Sequence, residues 1–171
     1  MRKVEVVSYR EEWTLLFQEE SIKISRIFGS ECIHLYHIGS TAIPNMHAKP
    51  VIDILVEVQK IENVDSFNLE MERIGYVAMG ENGIEGRRFY KKGGNNRSHH
   101  VHVFGTQNRE IQRHIVFKDY LIAHPHEADR YSQLKQLLAK KYPDDIEKYI
   151  DGKNNFIKDI DAKANRWLKG R

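Results

Sequence analysis

The stretch 37-HIGSTAIPNMHAKPVIDILVEV-58 decides the fold: a Gly-Ser-Thr turn follows one short apolar run, and a lone acid, Asp53, sits inside the next. Both flanking runs, Ile33–Ile38 and Val51–Val58, are short and rich in β-branched residues, which predicts strands rather than helices. Pro44, Asn45 and Pro50 mark an irregular loop between them. Alternation puts Ile52, Ile54, Val56 and Val58 on one face of the second strand and Val51, Asp53, Leu55 and Glu57 on the other. A carboxylate among apolar residues is costly unless it is paired, protonated or bound to a metal. Asp53 is therefore expected on the less apolar face, overlooking a cleft formed by the Gly39 loop.

Outward from this core, Ser8 with Glu11 makes a capping-box pattern, and Trp13, Leu16, Phe17, Ile24, Ile27 and Phe28 recur at helical spacing up to Gly29. A second helix is predicted from about Val64 to Ile74, stopping at Gly75. Gly86–Lys92 and Ser98–Phe104 flank Gly93-Gly94-Asn95-Asn96 and predict a β-hairpin. After Gly105 three apolar stripes at helical spacing are separated by Pro125 and Pro143, with Lys135, Lys140, Lys141, Glu147 and Lys148 expected on solvated faces. The pattern predicts a single α+β domain over residues 1–171, a mixed β-sheet flanked by helices with a helical C-terminal third.

Composition narrows the function classes. The 171 residues are 40% apolar, enough for one ordinary core. The 27 Lys and Arg against 24 Asp and Glu leave a net charge of +3, with no basic arm, so no nucleic-acid partner is expected. The single cysteine, Cys32, excludes a disulfide framework and suggests a reducing compartment. The first ten residues lack the apolar core of a signal peptide, and no run approaches the roughly 20 apolar residues of a membrane helix. A cytoplasmic location with no membrane partner is the expectation. Nothing in the chain speaks to oligomeric state.

Two constellations carry chemistry. Gly39 lets backbone approach a ligand closely, while Ser40 and Thr41 offer hydroxyls and N–H groups to anionic oxygens, although an ordinary turn reads the same. Lys49 and the Arg87-Arg88 pair are candidates to add positive charge around phosphate, or are simply surface charges. Asp53 is a candidate ligand for Mg²⁺, a hard cation that shares oxygen ligands with phosphates, or the partner of Lys49 or an arginine. In 99-HHVHV-103, alternation sends His100 and His102 to one face, about 7 Å apart, where they can converge on a metal or a phosphate or stay structural. No His-x-Thr or His-x-Ser pair accompanies them, and His34, His37 and His47 match no standard zinc spacing.

Taken in order, HIGSTAIPNMHAKPVIDI, RRFYKK, HHVHV and FKDYLIAHPHEADRYSQLK resemble the GrpB-like proteins, from Val4 to about Ile160. That resemblance implies a nucleotidyltransferase-type sheet, with Gly39-Ser40 as phosphate-binding turn and Asp53 as metal ligand. Relatives of this domain occur fused to dephospho-CoA kinase. The superfamily pattern places two acids one residue apart after the turn and a third on a later strand. Here Leu55 stands two after Asp53 and Val51 two before it, and the later strand offers His100 and His102. The leading expectation is a metal-dependent nucleotidyltransferase that moves a nucleotidyl group from a nucleoside triphosphate to a small-molecule acceptor. Asp53, with His100 or His102, would hold Mg²⁺, or Mn²⁺ or Zn²⁺. Gly39, Ser40, Thr41, Lys49, Arg87 and Arg88 would hold substrate, and His37 or His102 would act as base. The alternative is a catalytically inactive module binding a nucleotide or phosphometabolite, favoured by the missing acids. A His-centred metal-dependent phosphoesterase comes third.

Overall fold

The computed structural model describes residues 2–171. Among these, five strands form one sheet in the order β1-β2-β5-β4-β3. They are β1 (Cys32–Ile38), β2 (Ile52–Val58), β3 (Tyr76–Ala78), β4 (Arg87–Lys92) and β5 (His99–Gly105). β2 runs parallel to β5 and every other neighbouring pair is antiparallel, so the sheet is mixed as expected. The expected hairpin is β4–β5, while β3 is too short for its periodicity to be read in advance.

The alternation expected in β2 holds. Ile52, Ile54, Val56 and Val58 are at most 1% exposed and pack with Val101 and Val103 of β5 and with Trp13, Ile24 and Phe28 of α1 (Glu12–Phe28). Each such side chain contributes about 1.5–3 kcal/mol of burial, which locks the register of β2, since a one-residue slip would turn Asp53 into this core. The expected capping box does not form: Glu11 is the N-cap of α1 and makes no side-chain cap bond. Val7 is held in a bridge to Ala48 by backbone bonds of 2.9 and 3.0 Å, which keeps Ser8 from the helix start. The predicted Val64–Ile74 helix is divided. Ile61–Phe67 is 3₁₀, with Ser66 Oγ donating to the Asn63 carbonyl at 2.7 Å, and only α2 (Asn68–Arg73) is α-helical before Gly75.

The three C-terminal stripes become α3 (Arg109–Ala123), α4 (Pro125–Lys141) and α5 (Ile146–Lys169), with Pro125 opening α4. They cover the other face of the sheet, where Ile38, Leu55 and Phe104 meet Ile111 and Ile115. A Cβ on Gly152 of α5 would stand 2.5 Å from the Leu138 side chain of α4, so this glycine lets the two helices close on each other. That closure brings basic residues of α4 and α5 to the Asp53 end of the sheet.

Candidate functional site

Strand register assembles the polar cluster. Asp53 pairs with Ile38 of β1 and with His100 of β5, and His102 pairs with Leu55, so Asp53, His100 and His102 project from one face. His102 Nε2 lies 3.1 Å from Asp53 Oδ1, and His100 Nδ1 lies 3.6 Å from the same oxygen. The remaining ring nitrogens face arginines: Arg87 Nη1 is 3.3 Å from His102 Nδ1, and Arg97 Nη1 is 3.1 Å from His100 Nε2. A guanidinium can only donate. Each ring therefore gives its lone pair to an arginine and turns its N–H towards Asp53. Burial by itself would raise the Asp53 carboxyl, but His100 and His102 outweigh it and hold the group well below the usual carboxylate range.

The Gly39 turn lies directly on this acid. Gly39 has φ +73° and ψ −170°, and a Cβ there would stand 2.8 Å from Asp53 Oδ2. Only glycine combines that conformation with that approach. A 3₁₀ turn, Ser40–Ala42, follows, and Lys135 Nζ of α4 donates to Ser40 Oγ at 2.7 Å. Thr41 also lines the cleft beside this turn, but its hydroxyl lies 2.9 Å from His37 Nε2.

Ser40 and Asp53 open onto a cleft of about 250 Å³ whose other polar lining includes Arg2, Lys49, Lys135 and Lys153. The lysines ride on aromatic rings: Lys49 and Lys153 lie 5.2 and 4.7 Å from the Tyr149 centroid, and Lys135 lies 4.3 Å from that of Tyr131. Burial lowers all three ammonium groups, Lys49 to about 7, Lys153 to about 8 and Lys135 well below its ordinary value. Repulsion from neighbouring cations adds to this for Lys49 and Lys135. Tyr149 also lines the cleft, and its buried hydroxyl has no hydrogen-bond partner among the described residues. A second hollow of about 230 Å³ shares Ser40, Asp53 and Lys153 and is otherwise lined by groups such as Phe117, Tyr131, Ile157 and His114. The combined site is a basic chamber joined to an aromatic one.

The residues present do not fit a resident Mg²⁺, Mn²⁺ or Zn²⁺. A hard divalent cation wants several oxygen ligands, and a softer one wants imidazole lone pairs. Asp53 is the cleft's only carboxylate, its Oδ1 already faces two N–H groups, and both imidazole lone pairs are turned to arginines. Among the described residues no group of three or more His, Cys, Asp or Glu side chains is placed to hold a metal ion.

Of the residues singled out from sequence, the structure brings together Gly39, Ser40, Thr41, Lys49, Asp53, His100 and His102. His37 pairs with Ile54, faces the opposite side of the sheet and stacks on Phe17 at 4.8 Å, with burial lowering it to about 4. His102 has no free nitrogen with which to act as base in this arrangement. Arg88 lies on the opposite face too, bonded to Asp65 at 2.8 Å. Arg87 is buried, donates to the Glu81 and Asn82 carbonyls and steadies His102 rather than facing a ligand. Lys135, expected on a solvated face, is 2% exposed. The signal for it was present: Lys135 falls four after Tyr131 and three before Leu138, inside the apolar stripe, and Lys153 falls four after Tyr149 and three before Phe156.

With the site described, its relatives are informative. The family model described as GrpB protein matches residues 3–163. The YqkA protein of Bacillus subtilis (strain 168) is 51% identical over 170 residues, which are 99% of this chain and 50% of that protein, so the chain spans half the length of this relative. The crystal structure of the conserved protein GrpB from Enterococcus faecalis superimposes with a TM-score of 0.93 at 44% identity, covering 96% of this chain and 99% of that one. The Cid1 poly(U) polymerase matches with a TM-score of 0.51 at 14% identity, over 80% of this chain and 42% of that one, a likeness of fold alone. Among the described residues no helix is long and apolar enough to cross a membrane. The mixed sheet, its flanking helices and the match over 3–163 together mean that this chain belongs to the GrpB family, on a nucleotidyltransferase-like fold.

Proposed function

We propose that the cleft beside the Gly39 turn binds a phosphorylated small molecule, a nucleotide or other phosphometabolite, without performing chemistry on it. The observation that carries this reading is the buried lysine set. Lys49, Lys135 and Lys153 converge with Arg2 on a cleft whose one carboxylate is already engaged by histidine. Burial and mutual repulsion disfavour the charged form of these lysines, and an anion in the cleft would favour it again. Ser40 is a further donor for its oxygens, and the aromatic chamber suits the uncharged part of the molecule.

Nucleotidyl transfer from a nucleoside triphosphate to a small acceptor is the second reading, favoured by the position of Asp53 beside the Gly39-Ser40 turn on a sheet of this type. Titration calorimetry of the full chain with ATP, CTP and a coenzyme A precursor, with pyrophosphate release followed in parallel, separates the two. Binding that is lost in Lys135→Met, with no pyrophosphate formed over hours, is the expected result. Pyrophosphate release that depends on Asp53 would replace the first reading by the second, and failure of every phosphate compound to bind would remove both.

A further inference from the structure

The charge around Asp53 has a consequence for the form in which a phosphate ligand arrives. A metal-phosphate complex needs protein oxygens for the metal's remaining coordination positions. Asp53 has at most one to offer: Oδ1 faces His102 and His100, which leaves only Oδ2, beside Gly39, and one oxygen does not complete a metal's coordination. Among the described residues no other acid lines the cleft or the hollow beside it. Glu57 accepts from Tyr36 at 3.2 Å and from Thr106 at 2.8 Å at the far end of β2. Arg113 donates to both Glu110 and Asp161, and Asp161 lies two helical turns beyond Lys153, about 12 Å along α5. The cleft meanwhile continues into a shallow vestibule lined by Arg2, Lys3, Lys49 and Arg97, where Glu5 is the only acid. Among the described residues neither Arg2 nor Arg97 makes a salt bridge.

We propose that this site takes its ligand as the free, metal-uncomplexed phosphate anion, with the ammonium groups of Lys49, Lys135 and Lys153 neutralising the charge that a nucleotidyltransferase site assigns to Mg²⁺. The proposal rests on the phosphate-binding reading above and restricts it. Magnesium then competes with the protein for the ligand instead of joining it in the cleft. The vestibule extends the same chemistry outward, so a ligand carrying two linked phosphates engages both the buried lysines and the Arg2–Arg97 rim, and binds more tightly than a single phosphate.

Inorganic pyrophosphate is the probe, because it chelates Mg²⁺ strongly, and sulfate is the control, because it does so weakly. Calorimetry on the full chain at one pH is run in EDTA and again in excess Mg²⁺. The expected result is pyrophosphate binding in EDTA that weakens at least tenfold with excess Mg²⁺, and weaker sulfate binding that Mg²⁺ leaves unchanged. Pyrophosphate binding that requires Mg²⁺, tightens with it or ignores it overturns the proposal while the phosphate-binding reading stands. Absence of binding by both anions under both conditions overturns the two together.

Discussion

Replacing Gly39 by alanine isolates the contact on which the site is built. At φ +73° and ψ −170° the backbone occupies a region essentially reserved for glycine, at a cost of about 1–3 kcal/mol for any other residue. The new methyl would also stand 2.8 Å from Asp53 Oδ2 and 3.3 Å from Asp53 Cβ. The carboxylate must then give way, which strains its 3.1 Å bond from His102, and a hydrogen bond to a charged group contributes about 1.5–3 kcal/mol. Together the loss is about 3–5 kcal/mol, or roughly 10 °C in Tm at about 2–4 °C per kcal/mol for a chain of this size. Gly94→Ala is the internal control: its φ is +57° and its Cβ would meet open space, so only the backbone cost of about 1–2 kcal/mol remains. Thermal unfolding of both variants by circular dichroism measures the difference. If Gly39→Ala melts no lower than Gly94→Ala, the turn does not press on the acid and the described cleft floor is wrong.

The other predictions follow from the buried charges. Lys135→Met removes a desolvated amine, so the free protein should gain a few degrees in Tm near pH 7, while anion binding falls by roughly tenfold or more. Because Lys135 sits below its ordinary value when folded, the unfolded chain binds more protons, so the stability gain of this variant should shrink as pH rises towards 10. Anion affinity should decline between about pH 6.5 and 9, because Lys49 and Lys153 lose their protons through about 7 and about 8, a trend that calorimetry in matched buffers reads directly. Below pH 6.5 the unfolded chain protonates His37 and His114 while the folded chain holds them neutral down to about 4 and about 3. Stability should therefore fall with acid, by roughly 2–3 kcal/mol per histidine by pH 4, and His114→Phe should flatten the urea midpoint against pH. Tyr149→Phe should leave Tm unchanged or higher, since an unpartnered buried hydroxyl is lost, as thermal unfolding by circular dichroism reads.

Much of the frame was legible in the chain because it rests on local periodicity. The alternation of Ile52, Ile54, Val56 and Val58 placed Asp53 opposite the core, and the same rule put His100 and His102 on one side. At Ser8 a local pattern competed with a distant contact and the contact won, the Val7–Ala48 bridge displacing the capping box, whereas the second helix was divided with the help of a local bond, from Ser66 to the Asn63 carbonyl three residues before it. Sequence spacing also overstated the arginines. Arg87 and Arg88 are neighbours in β4 and so point to opposite faces, one to steady His102 and the other to meet Asp65.

By itself the sequence determined a mixed sheet between two helical layers, a glycine turn beside a lone acid, and two histidines aimed the same way, since strand and helix periods need no knowledge of what lies across the fold. What surrounds that acid was decided only in three dimensions. Lys135 and Lys153 stand 82 and 100 residues from Asp53 and reach its cleft because Gly152 lets α5 close on Leu138 of α4. The protonation and pairing of a charged group depend on the dielectric and the partners within a few ångströms. Those neighbours are set by packing between distant segments, so an acid that the sequence offered equally to a metal or to a basic partner stands in the structure beside two histidines, in a cleft lined by lysines.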